Sequence, residues 1–215
     1  MTAPRYSAVV FDFGGVLISP ITDRISEVAA RHGVSMEELL HVLMGPPDVS
    51  TEDHPWHRAE RGEIAIDGFQ QLVQPWAEEM GIDLTGDEFD IILDGVFRVH
   101  DDVVERILEL RADGITTALL TNSFVEFRAH LERHVDFSIF DLVIDSSEVG
   151  CRKPEPAIYE LTTERLGVAP DKILYLDDFM ANVVGARAAG WDAIHVTSST
   201  QAIQALNTAI GAPLG

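Results

Sequence analysis

Hydrophobic residues recur along the chain in two different rhythms. Ala8-Val9-Val10-Phe11 is a short apolar run of β-branched and aromatic residues without Gly or Pro, which reads as a strand buried on both faces. Asp12 follows at once, and Gly14-Gly15 then permit a sharp turn. From Asp101 onward the pattern predicts helix (101–113), strand (115–120), helix (near 124–133) and a short strand (142–144). A helix (156–166), a strand (173–176), a helix ending at 189 and a strand (192–196) complete the run. Strands alternating with helices specify a parallel sheet with helices on both faces.

The stretch 20–99 is helical instead. Ile25, Val28, Ala29 and His32 share one face ahead of Gly33, a C-terminal cap. Ser35-Met36-Glu37-Glu38 is a capping box opening a second helix, and Gly45-Pro46-Pro47 closes it. Asp67 with Gln70 is expected to start a third, turning Phe69, Leu72, Val73, Trp76 and Met80 toward a core. Thr85 with Glu88 is expected to start a fourth. The expected fold is therefore α/β: a Rossmann-like parallel-sheet core from 1–19 and 100–215, with a helical cap inserted at 20–99.

Composition narrows the choice of partners. With 46% hydrophobic residues in 215, the chain can build a proper core. Asp and Glu number 36 against 15 Lys and Arg, a formal net charge of -21 without a basic cluster. Nucleic acid and anionic membranes are disfavoured as partners, and a phosphorylated ligand is repelled unless a cation or local basic group reverses the field. No apolar run approaches the roughly 18 residues of a membrane span, and no signal-peptide apolar region follows Met1-Thr2-Ala3-Pro4-Arg5. Cys151 is the only cysteine, so a reducing cytoplasm is expected. Its neighbours Arg152 and Lys153 are expected to lower its pKa, but no His and Asn/Asp partners mark it as a nucleophile.

The chemistry collects where strands end. Thr121-Asn122-Ser123 follows the second strand, and Asp177-Asp178, with Asn182 four residues on, follows the strand at 173–176. Lys153 sits in the loop Gly150–Pro156 ahead of a helix. Each residue alone reads as a cap or a solvated charge. Carboxyl ends of parallel strands lie on one edge of the sheet, however, so these groups are expected to share a pocket with Asp12.

In this order the four blocks resemble the motifs of the haloacid dehalogenase-like hydrolases, and the insert resembles their C1-type cap. The Lys153-Pro154 step and Asp177-Asp178-Phe179-Met180-Ala181-Asn182 are most similar to phosphatases like the N-terminal domain of soluble epoxide hydrolase. The resemblance implies Mg²⁺-dependent hydrolysis of a small phosphorylated metabolite, with Asp12 as the nucleophile that forms an aspartyl-phosphate. It further implies Mg²⁺ on Asp12, the Gly14 carbonyl, Asp177 and Asp178. Thr121 and Asn122 would bind the phosphoryl oxygens, and Lys153 would offset their charge.

One position departs from that pattern. Most phosphatases of this type carry a second Asp, the general acid/base, where this chain has Gly14. A missing general acid costs about 10²–10⁴-fold in rate. Three explanations are open: a cap residue such as His54 or His57 replaces it, the leaving group is acidic enough to need no proton, or activity is weak or lost. Two rival functions are a 2-haloacid dehalogenase and a binding module that kept the fold. The acidic pair Asp177-Asp178 disfavours the first, because dehalogenases of this type use no metal. The cap is expected to cover the pocket mouth; Trp56, Arg58, Glu60 and Arg61 are polar or aromatic enough to contact substrate, but a solvated helix face is the expected place of most of them.

Overall fold

A computed structural model of the protein describes residues 5–45, 54–84 and 98–211. Its sheet has five strands, β1 (Ala8–Phe11), β2 (Thr116–Thr121), β3 (Leu142–Asp145), β4 (Ile173–Asp177) and β5 (Asp192–His195). All pairings are parallel, in the order β3-β2-β1-β4-β5. Alternation along the strands feeds two cores. Val9, Phe11, Leu119, Leu174 and Leu176 face one side, and Ala8, Val10, Ala118, Leu120, Ile173 and Tyr175 the other. Helices α5 (Asp101–Ala112) and α10 (Ser199–Ile210) cover the first side with Val103, Ile107, Leu110, Ala202 and Leu206. Helices α8 (Pro156–Leu166) and α9 (Met180–Ala188) cover the second with Ile158, Tyr159 and Ala186. A parallel sheet buried in this way needs unbroken apolar strands, and β1 supplies one.

Four helices precede α5 among the described residues: α1 (Thr22–His32), α2 (Met36–Met44), α3 (Pro55–Glu60) and α4 (Ile66–Glu79). They surround a separate core containing Ile25, Val28, Leu39, Leu43, Trp56, Phe69 and Val73. Gly33 closes α1 in the left-handed conformation (φ 69°), and Ser35 and Glu38 form both halves of the capping box on α2. Phe124, from the loop after β2, joins this helical core, its ring centroid 4.9 Å from that of Trp56 and 5.8 Å from that of Phe69. The cap is therefore keyed onto a loop that belongs to the sheet.

Several local expectations change. Helix α4 begins at Ile66 with Ala65 as its N-cap and no side-chain cap bond. Asp67 lies in its first turn, and Gln70 donates instead to the Leu84 carbonyl. Leu72 and Trp76 are 44% and 43% exposed, because the apolar stripe of α4 runs through Phe69, Val73 and Ala77. The helix expected near 124–133 is a 3₁₀ turn (Val125–Phe127) followed by one turn of α-helix, α6 (Arg128–Leu131). Strands β2, β3 and β4 each run one residue further than the apolar pattern, taking in Thr121, Asp145 and Asp177. Three elements went unread: α3, α7 (Ser146–Val149) and α10. Pro46, Pro47 and the expected Thr85–Glu88 helix start lie outside the described residues.

The helical core should respond to substitution as burial dictates. Phe69→Ala, removing a fully buried ring, is expected to cost about 3–5 kcal/mol in urea unfolding. Leu72→Ala, three residues along the same helix but exposed, is expected to stay within about 0.5 kcal/mol of the parent.

Candidate active site

Register brings the strand ends together. Phe11 pairs with Leu119 of β2 and Leu176 of β4, and the Asp12 N–H donates to the Leu176 carbonyl at 2.9 Å. Asp12 thus stands beside Asp177, the last residue of β4, with Thr121, the last residue of β2, on its other flank. Lys153 arrives from the loop between α7 and α8. Asn122 holds that loop in place. Its amide accepts from the Lys153 N–H at 2.9 Å and donates to the Lys153 carbonyl at 3.0 Å.

Charge is the dominant feature of this edge. The Lys153 side chain is 1% exposed, and its Nζ donates to Asp12 Oδ1 at 2.6 Å and to Asp177 Oδ2 at 2.9 Å. Burial works to lower the ammonium pKa, but the two carboxylates outweigh it and hold it above its ordinary value. Burial raises Asp12 well above the carboxylate range, Lys153 opposes the shift, and Asp177 and Asp178 add to it. Asp178 is pushed up to about 7, first by burial and then by the charge of Asp177. Three carboxylates face one ammonium, so negative charge is in excess.

The acidic pair divides into two roles. Asp177 Oδ1 accepts from the Phe179 N–H at 2.7 Å and from Asn182 at 3.1 Å. Its Oδ2 accepts from Lys153, Asn182 and the Tyr175 hydroxyl. A carboxylate offers about four lone-pair sites, so Asp177 is saturated and acts as the anchor for Lys153. Asp178 Oδ1, by contrast, is buried without a hydrogen-bond partner. Oxygens of Asp12, Asp177 and Asp178 lie within 4.8 Å of one another. An all-oxygen set with excess charge and an unpartnered buried oxygen fits a hard divalent cation such as Mg²⁺. Asp177 belongs to this oxygen cluster with Asp12 and Asp178, but its own oxygens are already engaged by five hydrogen bonds.

Two adjacent glycines do different jobs. Gly15 has φ +70°, and a Cβ there would stand 2.0 Å from Asp178 Oδ2. Only glycine lets the loop pass so close to the acidic pair. At Gly14 a Cβ would meet nothing within 4 Å, and its φ is not positive. The missing side chain at Gly14 is thus a chemical absence with room around it.

Asp12, Gly14, Thr121, Asn122, Lys153 and Asp178 all line one cavity of about 180 Å³ beneath the cap. Trp56 and Glu60 of α3 line it as well, as do Ile21 and Met44. Arg58 and Arg61 do not: Arg58 pairs with Glu63 at 3.4 Å, and Arg61 with Glu63 at 2.6 Å and Glu155 at 3.0 Å. His54 and His57 also lie off the cavity. His54 Nδ1 accepts from the Trp56 N–H at 3.2 Å as the N-cap of α3, and burial holds its pKa down at about 4. Neither histidine is placed to replace the absent acid. Cys151 is corrected too, since burial, helped by Glu155, raises its thiol pKa.

Sequence reasoning missed Arg152, which lines the cavity and is ion-paired with the buried Glu60. With Arg61–Glu155 it forms a second tie between α3 and the loop that carries Lys153. No spacing rule announces pairs separated by some ninety residues. Tyr175, whose hydroxyl donates to Asp177, was hidden as an ordinary strand aromatic.

Among the described residues no helix is long and apolar enough to cross a membrane. The family model for haloacid dehalogenase-like hydrolases matches residues 6–190. Mouse acyl-CoA dehydrogenase family member 10 is 29% identical over 97% of this chain, which spans only 20% of that protein. The sesquiterpene phosphatase astK of Aspergillus oryzae is 26% identical over 96% of this chain and 97% of its own length. A Bacteroides thetaiotaomicron enzyme, solved with magnesium and inorganic phosphate, superposes with a TM-score of 0.64 at 20% identity, covering 88% of this chain and 93% of its own. Two solved dehalogenases share the fold at 20% and 21% identity, with TM-scores of 0.67 and 0.63. They align over 91% and 97% of this chain, and 87% and 85% of their own. Fold, strand-end site and family match agree: this chain belongs to the haloacid dehalogenase-like hydrolases.

Proposed function

We propose that this hydrolase is a Mg²⁺-dependent phosphatase that cleaves a small phosphate monoester through an aspartyl-phosphate on Asp12. The observation that carries the reading is Lys153, buried between Asp12 and Asp177, beside an Asp178 oxygen that nothing satisfies. Such excess negative charge repels a phosphate until a cation is bound. A phosphatase needs that cation, whereas dehalogenation by an aspartate does not. The phosphatase relative that matches nearly the whole chain supports the same choice. Nucleic acid and membrane surfaces remain disfavoured by the net charge of -21, and the single cysteine supports a reducing, cytoplasmic setting.

Asp12, the Gly14 carbonyl and Asp178 would hold Mg²⁺, which neutralises phosphate charge when bound. Thr121, 3% exposed and lining the cavity, would turn its hydroxyl from the Asn122 carbonyl, 3.4 Å away, to a phosphoryl oxygen. The Asn122 amide is engaged with Lys153, so its backbone N–H is the donor left for phosphate. Lys153 keeps the Asp12 carboxylate oriented and stabilises charge on the transferring phosphoryl group. An Asp12 oxygen forms the bond to phosphorus as the bond to the leaving oxygen breaks. Water then attacks the aspartyl-phosphate, releasing phosphate and regenerating Asp12. With no acid at position 14, the leaving oxygen departs as an anion, which favours aryl, acyl or anomeric phosphates.

Phosphate release from p-nitrophenyl phosphate should require Mg²⁺, vanish in EDTA, and fall at least about 10³-fold in Asp12→Asn. Turnover of a 2-haloacid that survives EDTA would point to the dehalogenase instead. Metal binding should depend on pH with a definite sign. A folded-state pKa of about 7 against the ordinary 3.8 means that folding takes up a proton at Asp178 between these values. The cation-free protein then loses stability as pH rises toward 7, while Mg²⁺ binds better once that proton has gone. Added Mg²⁺ should accordingly raise Tm more at about pH 8 than at about pH 5.5. Finally, Gly14→Asp has the space to supply an acid. It should improve alkyl phosphate turnover by about 10²-fold relative to its effect on aryl phosphates, and equal effects on both would refute the leaving-group argument.

A further inference from the structure

We infer that the substrate's organic part is an uncharged, hydrocarbon-rich body, which the cap core holds above the phosphoryl site. This deepens the phosphatase reading and rests on it. The cavity of about 180 Å³ has about six times the ~30 Å³ share of one liquid water molecule. Its floor is the charged edge already described. Its walls are Phe13, Ile21, Met44, Trp56, Phe124 and Phe127, drawn from both the cap and the sheet.

Most polar atoms on those walls are already committed, and the exception among the buried ones is the Trp56 indole N–H, which has no hydrogen-bond partner and leaves room for a single acceptor on the ligand. Apart from the floor residues, the charged side chains lining the cavity are Glu60 and Arg152, and they are paired with each other. Glu60 is 5% exposed, and burial raises its pKa. Ser19 Oγ accepts from the Arg98 N–H at 3.2 Å, and the Ser123 hydroxyl donates to the Phe124 carbonyl at 3.4 Å. Asn182 is held by Asp177, and Asn122 by the Lys153 backbone. A sugar or a carboxylated leaving group would bring several hydroxyls or a charge into a space with few free partners, at a desolvation cost. An alkyl, isoprenoid or aromatic body asks for none, and aromatic walls reward its burial.

Matched leaving groups separate this inference from the chemistry at Gly14. Octyl phosphate and glycerol phosphate both release a primary alkoxide, so the missing acid penalises them alike. With Mg²⁺, octyl phosphate should be favoured in kcat/KM by at least about 10²-fold, chiefly through KM. Naphthyl phosphate should exceed phenyl phosphate by about tenfold or more. Met44→Glu, which puts a charge in the wall, should shrink the octyl preference at least tenfold. Preference for glycerol phosphate or phosphoglycolate would overturn the inference, the latter meaning that Arg152 leaves Glu60 for the substrate. So would an octyl preference unaffected by Met44→Glu. Acetyl phosphate has almost no organic body and reports on the phosphoryl site alone. If it is hydrolysed while the octyl preference is absent, only this inference fails. If it is not hydrolysed with Mg²⁺, the phosphatase reading falls and this one with it.

Discussion

The structure turns on a buried ammonium group among buried carboxylates. A charge taken out of water is tolerated only when partners surround it, and Lys153 has its partners in Asp12 and Asp177. To reach them, the loop before α8 must enter the sheet edge, and Asn122 fastens it by both backbone groups of Lys153. Asp177 must in turn be fixed, and five hydrogen bonds from four residues do so. Each of these contacts presupposes the strand register that brings β1, β2 and β4 level at their carboxyl ends.

This arrangement is balanced for a further positive charge. Within the protein alone the carboxylates outnumber the ammonium, and burial first, with the neighbouring carboxylates adding to it, raises the pKa values of Asp12 and Asp178. Gly15 allows the loop after β1 to pass against Asp178, which keeps these groups in one locus. On the proposed phosphatase reading, a cation held here would reconcile the net charge of -21 with the approach of a phosphate. The cap adds the second half of the environment. It is joined to the sheet by the packing of Phe124 against Trp56 and Phe69 and by the Glu60–Arg152 and Arg61–Glu155 pairs. The elements that shape the cavity are therefore mechanically tied to the loops that present Thr121 and Lys153.

The order of apolar strands and amphipathic helices was enough to determine the fold class, the parallel sheet and the helical insert. The residues placed at the strand ends were enough to nominate Asp12, Thr121, Lys153 and Asp178, because sheet topology forces such ends onto one edge whatever the details. Local caps such as Gly33 and Ser35–Glu38 were equally legible, since each depends on neighbours in the chain. Tertiary structure alone decided what long-range contact decides. It saturated Asp177 while leaving Asp178 bare, engaged Asn122 with a backbone, and turned His54 into a neutral cap. It exposed Leu72 and Trp76 and paired Glu60 with Arg152. Hydrogen-bond capacity, burial and charge balance are properties of a three-dimensional neighbourhood, and residues far apart in the chain acquire them only when the fold closes.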